Sequence, residues 1–171
     1  LAFQLLYQDE LNPPDRSAAA QAGAQLAPDP GALETLTREL YHATFEDSAE
    51  LQRDGTGATK RVPAWLGSPD LIEFTRFLID GVRRHREQLD EQLAAVAQNW
   101  RIQRMAVTDR TILRLAAFEI LHAETPDPVA VDEAIELAKR FGSAQSGQFV
   151  NGILDRVMHS RVEGDPPTTG Q

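Results

Sequence analysis

The residues best suited to chemistry in this 171-residue chain lie close together near its C-terminal end, in the string Gly147-Gln148-Phe149-Val150-Asn151-Gly152. Helix packing alone does not demand such a string. An exposed Phe149 ring could stack on a base of single-stranded RNA, a contact worth about 1–3 kcal/mol. Gln145 and Gln148, just before it, could donate or accept at base edges. The competing reading makes Phe149 a core aromatic, and Tyr7 near the start of the chain poses the same alternative. Phe149 and Asn151 point about 200° apart on a helix. If Phe149 and Gly152 share a face, that face pairs a ring with a close-approach position. Asn151 then turns towards the helix packing.

Other candidate chemistry is weaker. Asp109 and Glu119 stand on one helical segment, about 15 Å apart by helical rise. That is too far for the roughly 5–9.5 Å of a glycosidase-like carboxylate pair. Asp109-Arg110 follows a threonine at a helix entry. It reads either as a cap with an ion-pairing neighbour or as an acidic patch for a protein partner. Asp132, Glu133 and Glu136 lie near a helix start, where the helix dipole favours acids. Ser143 and Ser146 have no histidine near them in sequence, so no nucleophile–base set emerges. The loop DGTGATK at 54–60 lacks phosphate-loop spacing. There is no cysteine, which removes disulfide scaffolds, thiolate catalysis and cysteine metal sites. His42, His85, His122 and His159 show no metal-ligand spacing. Neither a metal nor a cofactor is implied.

The net charge of -9 argues against nucleic acid as a partner when taken globally. Distribution matters more, and basic residues cluster at Arg83, Arg84 and Arg86, at Arg101 and Arg104, and at Lys139 and Arg140. No run approaches the ~18 apolar residues of a membrane span.

The elements that must position these residues are all helical, since no segment alternates with period two. A first helix covers Leu1 to Glu10 and ends at Asn12-Pro13-Pro14. A second runs from about Gly31 to Glu50, with Leu33, Leu36 and Leu40 on one face. Ser68-Pro69-Asp70 opens a long helix to about Gln98. Gly81 inside it marks a packing contact, a bend or a break between two helices. Trp100 to Met105 form a turn. Thr108-Asp109 caps a helix to about Leu121 that buries Ile112, Leu115 and Ala116. Pro126 and Pro128 break the chain, and a helix follows from Val131 or Asp132 to Phe141, ended by Gly142. The last helix runs from about Ala144 to His159. The expectation is an all-α bundle of about seven helices in two packed subdomains, residues 1–98 and 99–160. A disordered tail follows at 161–171, and loops lie at about 15–30 and 51–68.

Three segments together resemble the NusB family of bacterial transcription antitermination factors. They are LAFQLLYQ at 1–8, NWRIQRMAVTDRTILRLAAFEIL at 99–121 and VAVDEAIELAKRFGSAQSGQFVNGILDRV at 129–157. The pairing of VDEAIELAKRFG with FVNGILD is the specific part. The resemblance implies a cytoplasmic, all-helical, RNA-binding protein with no catalysed reaction. It would bind the boxA segment of nascent ribosomal RNA together with ribosomal protein S10 (NusE), within the antitermination complex on RNA polymerase. Some members form homodimers that hide the RNA face. By resemblance, Tyr7 and Phe149 match the family's aromatics on the first and last helices, and Gln145 and Gln148 flank the latter. Gln145 takes a position often acidic in relatives, and an aromatic near Ala97 or Gln98 is missing. Asp109, with Arg110 beside it, matches an acidic position near the NusE-binding surface. The family's arginine-rich stretch would precede Leu1. Two other classes fit a helical domain of this kind: an appendage of a ribosomal RNA cytosine methyltransferase, and a structural adaptor that binds NusE alone.

Overall fold

A computed structural model describes residues 1–12, 27–45, 67–97 and 101–164. Among them the chain forms seven α-helices and one 3-10 turn, with no strand. They are α1 (Ala2–Leu11), α2 (Pro30–Phe45), α3 (Pro69–Arg84), α4 (Arg86–Val96), α5 (Val107–His122), α6 (Asp127–Phe141) and α7 (Ser146–Gly164). The 3-10 turn is Ile102–Arg104. The all-α bundle read from the sequence is the observed architecture. Most of the expected loops at 15–30 and 51–68, the subdomain boundary at 98–99 and the end of the tail lie outside the described residues.

The bundle is organised around α5. Every residue from 111 to 118 is buried. A helix buried on every side needs neighbours on every side, and α1, α3, α4, α6 and α7 pack against it. Ile112, Leu113, Phe118 and Ile120 meet Leu33, Ile79, Leu89, Leu93, Val150 and Leu154 in one continuous core.

Local chemistry sets the helix ends. The Asp29 carboxylate accepts the N–H groups of Gly31 (3.0 Å) and Ala32 (3.1 Å) and so caps α2. The Ser68 hydroxyl accepts the Leu71 N–H at 3.4 Å, and Pro69 occupies the first turn of α3. The long helix expected from Pro69 to Gln98 is two helices. Its backbone leaves helical geometry at His85 (φ -99°, ψ 13°). There the imidazole Nδ1 and the backbone N–H both sit 2.9 Å from the Gly81 carbonyl. Gly81 is a close-approach position. A Cβ there would lie 1.8 Å from Phe118 Cζ, so the α3 backbone rests directly on the Phe118 ring.

Three boundaries differ from the sequence reading. Helix α5 begins at Val107 after Ala106 with no side-chain cap, and Asp109 falls in its first turn instead of capping it. Helix α6 begins at Asp127, because Pro128 sits in the first turn, where a missing N–H costs nothing. Helix α7 continues past His159 to Gly164.

Candidate nucleic-acid interface

The junction between α6 and α7 places the glutamine–aromatic string. At Gly142 the φ is -97°, so this glycine is required for space, not for a left-handed turn. A Cβ there would stand 2.5 Å from the Ser146 side chain and 2.7 Å from the Ala138 carbonyl. The Ser146 hydroxyl, buried to 1% exposure, accepts the Ser143 N–H at 2.9 Å and lies 3.0 Å from the Ser143 hydroxyl. This buried polar contact holds the tight entry into α7. Gly147 then lets α7 approach α6, with Lys139 Cγ 3.4 Å from its Cβ position.

On that first turn Phe149 is half-buried against the core, and its N–H donates to the Gln145 carbonyl at 3.0 Å. The Gln145 and Gln148 side chains are exposed. Gly152 has nothing within 4 Å of its Cβ position and Asn151 is exposed. The expected close approach at Gly152 and inward turn of Asn151 are therefore absent. The helix turns both away from its neighbours, and Gly147 is the position that needs closeness.

Tyr7 is half-buried on α1, with its ring centroid 5.9 Å from that of Phe3. Phe3 lies 5.0 Å from Phe141 at the end of α6, and the Arg140 guanidinium carbon is 5.3 Å from the Phe141 centroid. Tyr7, Phe3 and Phe141 thus form an aromatic row joining α1 to the α6–α7 junction. Phe141 was not among the residues singled out from sequence. The signal available was Lys139-Arg140-Phe141-Gly142, two cations and a ring at a helix end.

Asp109 and Arg110 are built into the fold. Asp109 is only 9% exposed, and its Oδ1 is buried without a hydrogen-bond partner. Arg110 donates to Glu10 Oε2 from Nε (3.2 Å) and Nη2 (2.8 Å). Glu10 also pairs with Arg86 (2.6 Å) and Arg114 (2.8 Å). Arg114 grips both oxygens of Asp90, and Arg83 both oxygens of Asp9. Burial alone would raise the Glu10 pKa. The Arg110 hydrogen bond and the charges of Arg114, Arg86 and Arg110 outweigh it and hold the carboxyl below its ordinary value. The network fixes the C-terminal end of α1 to α4 and α5. Its partners are up to 104 residues apart, beyond the reach of sequence spacing.

The other carboxylate considered, Glu119, is half-buried. Burial raises its pKa, a Thr125 hydrogen bond opposes that, and the Glu133 charge adds to it. Among the described residues, no group of three or more His, Cys, Asp or Glu side chains could hold a metal ion. No described helix is long and apolar enough to cross a membrane.

The NusB family profile matches residues 67–159. A transcription antitermination protein NusB from Anaeromyxobacter dehalogenans is 47% identical over 98 residues, covering 57% of this chain and 66% of that relative. The solved structure of T. maritima NusB superposes with a TM-score of 0.59 at 30% identity, covering 92% of this chain and 85% of that one. A crystal structure of antitermination factors NusB and NusE in complex with dsRNA has the same fold. Its TM-score is 0.56 at 21% identity, over 93% of this chain and 91% of that one.

Proposed function

The chain belongs to the NusB family, and on that premise we propose that it is a transcription antitermination factor binding the boxA segment of nascent ribosomal RNA together with NusE. The observation that carries this reading is Phe149, a half-buried ring on the first turn of α7 with the exposed amides of Gln145 and Gln148 beside it. A half-buried ring suits base stacking, because its packing against the core fixes its orientation before RNA arrives. The glutamines supply donors and acceptors for base edges. Tyr7, on the neighbouring aromatic row, offers a second ring. Relatives bearing the antitermination name, and the solved complex of NusB and NusE with dsRNA, support the partner classes. The first turn of α5 is the proposed NusE contact. No catalytic step belongs to this reading.

The test is the affinity of a boxA-like RNA oligonucleotide for the chain, with and without NusE, at one fixed salt concentration. Tighter RNA binding in the presence of NusE is the expected result. No gain on adding NusE overturns the proposal. Phe149→Ala should weaken RNA binding by about five-fold or more, the lower end of one base–aromatic stack. A variant that only melts earlier, with unchanged RNA affinity, makes Phe149 a core residue.

A further inference from the structure

We infer that Phe141 and Arg140, at the C-terminal turn of α6, form a second stacking platform for single-stranded RNA. This rests on the RNA-binding reading above and extends it to residues outside the glutamine–aromatic string. Phe141 is one of few large apolar side chains left exposed, at 39%. Its ring is backed by Phe3, which is buried, and Phe3 is in turn backed by Tyr7. The open part of the ring therefore sits on a fixed support. Arg140 lies over it at 5.3 Å, in cation–π range. A guanidinium beside an aromatic face recognises the two chemical features that every nucleotide carries. The base displaces the exposed guanidinium from over the ring and stacks there, while the guanidinium N–H groups reach the phosphate.

Charge narrows the occupant to a polyanion. The chain carries -9 overall, yet the last turn of α6 presents Lys139 and Arg140 side by side, both exposed. Lys139 pairs with Glu136 at 2.6 Å, but with both side chains more than half exposed the pair is weak and is readily exchanged for a phosphate. A nucleotide adds to this charge attraction a base whose face can stack on the backed ring.

The test uses the whole chain and a single-stranded RNA dodecamer containing 2-aminopurine, titrated by fluorescence over a range of salt. Phe141→Leu keeps an apolar contact to Phe3 and removes the π face. It should weaken binding by at least about five-fold and reduce the stacking quench. Phe141→Trp should restore both. Arg140→Gln, at an exposed position, should weaken binding and lower the salt slope by about 0.7. Phe141→Leu binding as the parent while Phe149→Ala binds more weakly overturns this inference and leaves the RNA reading intact. Failure of the parent chain to bind the dodecamer, with or without NusE, overturns both. Loss of NusE binding alone in Phe141→Leu makes the platform a protein surface and also overturns it.

Discussion

Gly81→Ala should destabilise this protein, although glycine to alanine inside a helix ordinarily stabilises. The intrinsic gain is about 0.8–1 kcal/mol. Against it stands the Phe118 ring, whose Cζ, Cε1 and Cε2 would lie 1.8, 2.3 and 2.4 Å from the new methyl. Ordinary carbon contacts are about 3.5–4.0 Å, so the ring must retreat by almost 2 Å. Phe118 is 2% exposed and hemmed by Phe77, His85 and His122 at 5.3, 5.7 and 4.9 Å. Its retreat displaces all three. Overpacking of this kind costs about 3 kcal/mol, the upper end of the usual range, and the net loss is about 2 kcal/mol. For a chain of this size that corresponds to a fall of about 4–8 °C in melting temperature. Urea unfolding of parent, Gly81→Ala, Phe118→Leu and the double variant measures it directly. The double variant should be more stable than the sum of the single changes, by about 1 kcal/mol or more. A melting temperature for Gly81→Ala equal to or above the parent's would refute the packing argument and restore a simple propensity account.

Acid should weaken the tie between α1 and α5. The Glu10 pKa is held below its ordinary 4.5, so its contribution is complete above pH 4.5 and is lost as pH falls through the lower folded value. In parallel unfolding titrations the stability gap between parent and Glu10→Gln should therefore narrow over that interval, and a constant gap would remove Glu10 from the account. Ser146→Ala should cost about 1 kcal/mol by urea unfolding, because it leaves the Ser143 N–H without its acceptor. The same variant should bind the RNA dodecamer more weakly, since the hydroxyl holds the turn that carries Phe149; unchanged stability would mean that the hydrogen bond is dispensable.

What could be read from the sequence depended on range. Apolar periodicity located α1, α2, α3, α5 and α7 and gave the all-α class, because a buried helical face repeats within a few residues. Pro128 misled the start of α6: proline signals a break in a helix interior and a beginning in its first turn, and only the position decides which. The break at His85 has no proline to mark it and coincides with a side-chain contact to the Gly81 carbonyl. Phe149 with its two exposed glutamines could be named from the string itself. Phe141 has a local signal in Lys139-Arg140-Phe141-Gly142, but its support, Phe3, lies at the other end of the chain and is not legible there.

The same distinction separates the proposed RNA face from the proposed NusE face. On the α6–α7 junction the candidate groups are supplied mainly by neighbours in sequence, so local signals suffice. At the start of α5 they are embedded in a network whose anchor, Glu10, comes from α1. Glu10 is one helical turn beyond Tyr7, so the carboxylate that fixes Arg110 also fixes the helix that presents Tyr7. Replacing one partner in a buried pair leaves the others uncompensated and costs about 3–5 kcal/mol. Variants of Arg110 and Glu10 will consequently report on folding as well as on NusE. A loss of NusE binding in Arg110→Ala identifies a contact only if the melting temperature is retained. Gln145, just before α7, and Gln148, on its first turn, are both exposed, so their variants carry no such burden and provide the cleaner measure of RNA recognition.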